Sequence, residues 1–142
     1  MLKKSLLACL LFALPLLVNA QIKRTIHEVI ELSDSIQVIT CEFYDSLKIQ
    51  SWPSNSIMLE ITINHKDHST DSILKGLIEK GRYRLDPVKS MDRMHLKFDL
   101  RNRGILNTLT SGEIPEEVSV NIFIPDDFEQ GQKGEWKRKK HP

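Results

Sequence analysis

The stretch IMLEITINH, residues 57–65, alternates apolar and polar side chains with a period of two. This period is typical of a β-strand that has one face on a core and the other on solvent. The same alternation recurs in residues 94–101 and 117–124 and, over a shorter stretch, in residues 47–52. Four strands with one buried face are therefore predicted, and they define a chain that is mainly β.

Weaker strand patterns occupy residues 25–32, 35–42 and 82–85. The second of these is apolar enough to be covered on both faces. Turn residues separate the patterns between 35 and 65, so this region is predicted to be a three-stranded antiparallel meander. With about seven strands, the predicted fold class is antiparallel sheets that form either a sandwich or the start of a β-solenoid.

One helix is predicted between residues 69 and 81. Ser69 or Thr70 is a suitable N-cap, and Asp71 favours the positive end of the helix dipole. Lys80 and Gly81 are typical of a helix C-terminus. The apolar stripe of this helix consists of Ile73, Leu74, Leu77 and Ile78. A helix of this size between strands is expected to cover one open face or end of the sheet.

Residues 1–20 have the layout of a secretory signal peptide. Lys3 and Lys4 precede an apolar run over residues 5–18, and Ala20 ends a short segment suited to cleavage. The run is shorter than the 20 or so residues that a membrane-spanning helix needs. We therefore expect a mature protein that begins at Gln21 and works in the periplasm or at the cell surface.

The charge of the chain is unevenly distributed. Residues 21–130 hold 13 basic and 18 acidic side chains, whereas residues 131–142 hold five basic and one acidic. An acidic body argues against a nucleic-acid-binding domain, because phosphate neutralisation needs a basic face. Residues 21–128 are thus predicted to form the β-rich domain, and residues 129–142 a basic disordered tail.

The tail holds the candidate binding residues. An indole beside four consecutive cations is suited to anionic lipid headgroups or an acidic polymer. The alternatives are a solvated charged tail and one that folds back onto the acidic body. These residues are Trp136, Lys137, Arg138, Lys139 and Lys140.

The order of these features resembles the opening part of the toastrack-type adhesin family, relatives of the head domain of bacterial auto-transporter adhesins. The resemblance rests on the segment LKIQSWPSNSIMLEI (47–61), the helix, and the closing VSVNIFIP (118–125). It implies an extracytoplasmic β-solenoid or stacked-sheet protein that has no enzymatic activity and no catalytic residues. The family usually continues into strands with Ser-Gly repeats, whereas this chain turns into its basic tail.

Two clusters invite a chemical interpretation. His65, Asp67 and His68 are ligand types for zinc or copper, but a polar connection between strand and helix explains them better. Cys41 is the one cysteine beyond residue 20, so it has no partner for an intramolecular disulfide. Its strand position favours a buried thiol over a nucleophile or an intermolecular disulfide. No metal site, cofactor or catalytic residue is predicted.

Two aromatic side chains, Trp52 and Phe123, fall on the polar faces of their strands. They are either contacts for a ligand or partner, or core residues beneath a covering element.

The leading hypothesis is an exported, non-catalytic, adhesin-like module of the cell envelope or cell surface that contacts protein, glycan or membrane. The alternative is a small periplasmic protein that binds a ligand or metal with its sheet face or with the turn of His65 and His68. A hydrolase would require Cys41 to meet a histidine and a carboxylate in a cleft.

Overall fold

The computed structural model describes residues 21–43, 46–66, 69–109, 112–132 and 134–140. The predicted leader, residues 1–20, lies outside this part of the chain. The strands are β1 (Ile22–Glu31), β2 (Val38–Phe43), β3 (Ser46–Trp52), β4 (Ser56–His65), β5 (Val88–Ser90), β6 (Arg93–Phe98), β7 (Asn107–Thr108), β8 (Gly112–Glu113), β9 (Glu116–Pro125), β10 (Phe128–Gln130) and β11 (Glu135–Arg138). The α-helix α1 (Asp71–Glu79) separates β4 from β5, and a 3₁₀ helix (Leu100–Arg103) follows β6.

The strands form two main sheets around one core. A four-stranded sheet has the order β1-β4-β9-β3, and a five-stranded sheet has the order β10-β11-β2-β6-β5. Apolar side chains of both sheets belong to the same buried cluster, so the sheets pack as a β-sandwich. The remaining two strands, β7 and β8, pair only with each other. The predicted fold class, mainly β with one short helix, is confirmed.

The period-two pattern explains why β4 and β9 lie at the centre of their sheet. Ile57, Leu59, Ile61 and Ile63 of β4 have no exposed surface. In β9, Val118, Val120, Ile122 and Ile124 are buried in the same way. Burying an aliphatic side chain stabilises a fold by about 1.5–3 kcal/mol, so these two rows are the main apolar contribution of this sheet.

The structure corrects the predicted pairing of the strands. β3 pairs in parallel with β9, and β2 pairs in parallel with β6. The meander predicted over residues 35–65 is therefore wrong, because β2 lies in one sheet while β3 and β4 lie in the other on either side of β9. The strand predicted at residues 82–85 is also wrong, although Tyr83 and Leu85 are both fully buried.

The helix forms where the sequence predicts it. Thr70 is its N-cap, and its Oγ1 accepts a hydrogen bond from the backbone N–H of Ile73 at 3.2 Å. Leu74 is fully buried in the shared core. Asp71 forms an ion pair with Arg24 of β1 at 2.8 Å, which ties the start of the helix to the edge of the four-stranded sheet.

The structure also differs from the predicted disordered tail. Residues 128–130 and 135–138 form β10 and β11, and β11 lies inside the five-stranded sheet between β10 and β2. Trp136 stands opposite Ile39 of β2 and packs against the core. The gain from burying this indole, together with two strand pairings, explains why a segment without clear periodicity is ordered.

Candidate functional site

Alternate residues of β1, β4, β9 and β3 point away from the core and form one continuous surface, called here the outer face. The strand register places these residues in rows that cross the sheet. Among the described residues, no helix or strand packs on this surface, and α1 inserts Leu74 into the core on the opposite side. The outer face consists of Lys23, Thr25, His27 and Val29 of β1; Met58, Glu60, Thr62 and Asn64 of β4; Glu117, Ser119, Asn121 and Phe123 of β9; and Lys48, Gln50 and Trp52 of β3.

Two carboxylates of the outer face, Glu60 and Glu117, are bound by neighbours. Glu60 receives a hydrogen bond from Asn121 Nδ2 at 2.8 Å, and its other oxygen lies 3.3 Å from Nε2 of His27. Glu117 pairs with Nζ of Lys66 at 2.8 Å, and this hydrogen bond lowers the pKa of Glu117. These two carboxylates are thus neutralised locally, which leaves hydroxyl and amide groups as the prominent chemistry of this part of the surface.

Hydroxyl and amide groups line a shallow pocket of about 310 Å³ at one end of the outer face. Thr62, Asn64 and Ser119 line it together with Lys23. Thr25 extends the row, since its Oγ1 lies 3.1 Å from Oγ1 of Thr62. Oδ1 of Asn64 is inaccessible to solvent and has no hydrogen-bond partner among the described atoms. A buried acceptor without a partner is unusual, and this one lies beside the pocket.

Aromatic and aliphatic side chains occupy the opposite end of the outer face. The rings of Trp52 and Phe123 are in contact, with centroids 6.2 Å apart. Met58 is the cross-strand partner of both Phe123 and Val29, and Val29 is 55% exposed. Trp52 and Phe123 are half-buried, and Trp52 Nε1 donates to the carbonyl of Ser56 at 2.8 Å. They therefore lie at the surface and form a small apolar patch with a polar border.

A second cluster, the buried network, lies where β4 ends and β9 begins. His65 and Glu116 are cross-strand partners at this position. Glu116 accepts hydrogen bonds from Tyr83 Oη and from Arg82, whose Nε and Nη2 lie 3.0 and 2.6 Å from the two carboxylate oxygens. Arg82 also donates to the carbonyl of Gly104 at 2.8 Å. The network thus joins two central strands to the segment that follows α1.

The hydrogen-bond directions define the state of His65. Tyr83 uses its one proton on Glu116, so its oxygen accepts from His65 Nε2 at 2.8 Å. His65 Nδ1, 2.8 Å from Oγ of Ser69, is then an acceptor in the neutral ring. Burial lowers the pKa of His65, and this effect outweighs the attraction of the Glu116 carboxylate 3.6 Å away. His65 is therefore a neutral link in the chain of hydrogen bonds.

The pKa values of the network's acids have the same physical origin. Burial raises the pKa of Tyr83 well above its usual range, and the bond to Glu116 adds to this effect. Burial alone would raise the pKa of Glu116, but the hydrogen bonds from Arg82 and Tyr83 lower it overall. Glu116 stays ionised and Tyr83 stays protonated, so the network is a satisfied ionic structure rather than an acid and base prepared for chemistry.

A pocket of about 250 Å³ lies beside the buried network. Its charged residues are Arg82, Arg101, Glu113 and Glu116, and Leu106 and Ile114 are among its apolar residues. Arg82 and Glu116 are already bound to each other, so this side of the pocket presents a neutralised ion pair.

The structure describes one of the three residues considered as metal ligands. His65 is fully buried, and both of its ring nitrogens are engaged by Ser69 and Tyr83. Asp67 and His68 lie outside the described residues. Within the part of the chain that the structure describes, no group of three histidine, cysteine, aspartate or glutamate side chains is arranged to hold a metal ion.

Cys41 lies on the inner side of β2, where it packs against the core beside Leu96 of β6. Burial raises the pKa of its thiol to about 12, so the nucleophilic thiolate is not populated near neutral pH. The neighbouring histidine, His95, is bonded through Nδ1 to Oγ1 of Thr40 at 2.7 Å on the other face of the sheet. The position is that of a structural thiol.

The five candidate binding residues of the C-terminal segment do not form one basic patch. Trp136 points inwards, and so does Arg138, which bonds to Asp127 and lies over the ring of Phe128 at 4.7 Å. Lys139 Nζ donates to the carbonyl of Asp126 at 2.6 Å. Lys137 and Lys140 are exposed. The strand alternation of β11 separates side chains that adjacency in sequence had suggested would act together.

Sequence reasoning found His65 but missed its partners Arg82, Tyr83 and Glu116. A signal for one of them, Glu116, exists in the strand pattern together with that for His65. His65 continues the buried row Ile57 to Ile63, and Glu116 begins the buried row that continues with Val118. A charged or titratable side chain in a register that is otherwise apolar indicates a buried polar pair, because an isolated one is costly.

In the described part of the chain no helix is both long enough and apolar enough to cross a membrane. Comparisons with known proteins returned no matching family model, no matching curated protein and no matching solved structure.

Proposed function

We propose that this protein is an exported, non-catalytic contact module of the cell envelope or cell surface, adhesin-like in its mode of action, and that its outer face binds a glycan. The observation that carries the proposal is the chemistry of the outer face. It is an uncovered sheet surface on which Glu60 and Glu117 are bound by neighbours, and it combines hydroxyl and amide groups with an aromatic pair.

Hydroxyl and amide groups suit a glycan because they donate and accept hydrogen bonds, as sugar hydroxyls do. Thr62, Asn64 and Ser119 offer both functions around one pocket. Trp52 and Phe123 supply flat apolar surface for the C–H face of a sugar ring. The row of Asn64 and Glu117 is six residues along β4 and β9 from the row of Met58 and Phe123. These two ends of the outer face therefore lie about 20 Å apart. That spacing favours an extended chain over a small ligand.

The positions of the C-terminal cations favour a glycan over an anionic membrane as the binding partner. Arg138 and Lys139 are bound to the 126–127 turn, and Trp136 packs against the core. Three of the five residues that could form an electrostatic membrane anchor are thus engaged in contacts within the sandwich. The buried network supports a non-catalytic role, since each of its groups is held in one protonation state by its partners.

The test is binding of purified residues 21–142 to an array of bacterial envelope polysaccharides, followed by calorimetry with soluble fragments of the ones retained. Ser119→Arg places a bulky cation in the pocket at one end of the outer face, and Trp52→Leu removes the aromatic platform at the other. Each is expected to weaken binding by tenfold or more. Ser90→Arg, the same change at an exposed position of the other sheet, is the matched control and leaves binding unchanged.

Equal binding by the Ser119→Arg and Ser90→Arg variants would show that the outer face is not the site. Retention of envelope proteins but no polysaccharide would replace the glycan by a protein partner. Circular dichroism of each variant establishes that a loss of binding does not come from a loss of folding.

A further inference from the structure

β1 is a long and open edge of the four-stranded sheet. Its ten residues pair one to one with β4 without a bulge, and the sheet order places β1 at the end. Across the described residues, no backbone–backbone hydrogen bond joins β1 to anything except β4. The strand contains no proline or glycine. An edge strand of this length is a template for another strand unless something blocks it.

We propose that β1 pairs with β1 of a second copy of this chain, antiparallel, about a twofold axis at Ile26. In this register Ile26 faces Ile26, Ile22 faces Ile30, and Arg24 faces Glu28 of the partner on the inner side of the sheet. On the outer side, Lys23 faces Val29 and Thr25 faces His27. The sequence IKRTIHEVIE of β1 is thus complementary to its own reverse.

The neighbouring registers lack this complementarity. An axis at His27 opposes Arg24 to Ile30 and Glu28 to Ile26, so each charge faces an isoleucine. An axis at Glu28 opposes two glutamates directly, and an axis at Arg24 opposes two arginines, both of which are destabilising in a cross-strand pair. Only the axis at Ile26 satisfies the charges and the isoleucines together, and a buried face fixes such a register strongly.

Arg24 and Glu28 point inwards, so they also act within the single copy. Arg24 pairs with Asp71 of α1, and Oε2 of Glu28 lies 3.4 Å from the backbone N–H of Leu85. These contacts anchor both side chains beside the edge. Four residues of strand separate the two by about 13 Å, so they cannot pair with each other inside one copy. Arg24→Glu breaks the ion pair with Asp71 in the single and in the double variant alike, so a recovery of dimerisation in the double variant reports on pairing between copies.

The predicted dimer has a defined architecture. The twofold axis is normal to the sheet, so two four-stranded sheets join into one sheet of eight strands with β1 and its copy at the centre. The two outer faces then lie on the same side. The proposal does not depend on what the outer face binds.

The test is sedimentation velocity of purified residues 21–142 over a wide range of concentration, together with three variants. The wild type is expected to form a dimer. Arg24→Glu and Glu28→Arg each create two like-charge pairs across the axis and are expected to weaken dimerisation by about tenfold or more. The double variant Arg24→Glu/Glu28→Arg restores opposite charges between copies and is expected to recover dimerisation to within a few-fold of the wild type.

A wild type that stays monomeric at every concentration would overturn the proposal, as would a double variant no better than the single ones when all are folded by circular dichroism. Cysteine cross-linking tests the same register independently, so the proposal can be tested even if a charge variant fails to fold. In a Cys41→Ser background, Ile26→Cys places two thiols opposite each other, whereas Lys23→Cys leaves them about 20 Å apart. Oxidation is expected to yield a covalent dimer from Ile26→Cys alone, and no dimer or equal yields from both would contradict the register.

Failure of the dimer test and failure of the glycan test are distinguishable. Ser119→Arg changes the outer face two strands away from the β1 edge and is expected to leave the sedimentation of the protein unchanged.

Discussion

Glu116 holds together three parts of the chain that are distant in sequence. Its carboxylate is 11% exposed, and the guanidinium of Arg82 that binds it is 10% exposed. Breaking a pair so nearly closed to water leaves a buried charge without its partner, which costs about 3–5 kcal/mol. We expect Glu116→Gln to lower the free energy of unfolding by roughly 3 kcal/mol in urea denaturation at pH 7.

Glu117 is the matched control for this prediction. It is the next residue along β9, and its ion pair with Lys66 is exposed to solvent. Glu117→Gln makes the same chemical change at the surface and is expected to lower the free energy of unfolding much less than Glu116→Gln does. Equal losses in the two variants would show that the buried network does not stabilise the fold as its geometry indicates.

His65 gives the protein a defined pH dependence. Burial among Tyr83, Ser69, Glu116 and Arg82 lowers its pKa, so the unfolded chain binds a proton more readily than the folded one. Stability therefore rises with pH through the ordinary histidine range near 6.5 and is lost as the pH falls below it. Glu116, whose pKa is also lowered, extends this loss to more acidic pH. We expect the urea concentration at the midpoint of unfolding to decrease when the pH is lowered from 7.5 to 5.5.

The variant His65→Gln isolates this effect. It removes the titrating ring, so its urea midpoint is expected to change less between the two pH values than that of the wild type, whatever its stability at pH 7.5. If both proteins lose the same stability on acidification, another group is responsible.

At the scale of elements, side-chain alternation predicts which residues face the core but not which strands lie side by side. β4, β6, β9 and α1 follow directly from their periods, because each buries a regular row of apolar side chains. The pairing of β3 with β9 does not follow from a local period. The two strands are far apart in sequence, and a turn of suitable composition before β3 does not indicate which strand it will pair with.

The C-terminal strands show a second reason why a local pattern fails. β10 and β11 have three and four residues, which is too short for alternation to stand out from chance. Five cations in twelve residues suggest a solvated segment, yet Trp136 is partly buried against the core and Arg138 Nε donates to the carbonyl of Ile36 at 3.0 Å. Tertiary contacts override composition here. The candidate site follows the same rule, since the outer-face residues are visible in sequence but their rows exist only once the strands are in register.

At the scale of the whole molecule, the last strand of the chain completes a sheet that begins near its start. β11 lies between β10 and β2, so removing residues 131–142 exposes a new edge on β2 and removes Trp136 from the core. Deleting a tryptophan side chain from a core costs about 3–5 kcal/mol, and here the partly buried Trp136 is lost together with the pairings of β11 with β10 and β2. We expect the truncated chain 21–130 to lose at least about 3 kcal/mol of unfolding free energy, or to lack a cooperative urea transition.

A charge variant separates this structural role from a role of the cations in binding. Lys137→Gln/Lys140→Gln removes two exposed charges and keeps the strand, so its urea transition is expected to match that of the wild type. Binding to anionic vesicles that disappears in this folded variant would support an electrostatic membrane contact. Binding lost only on truncation would instead reflect a damaged sandwich, because the segment that carries the charges is also part of the core. A truncated chain as stable as the wild type would contradict the placement of β11 inside the sheet.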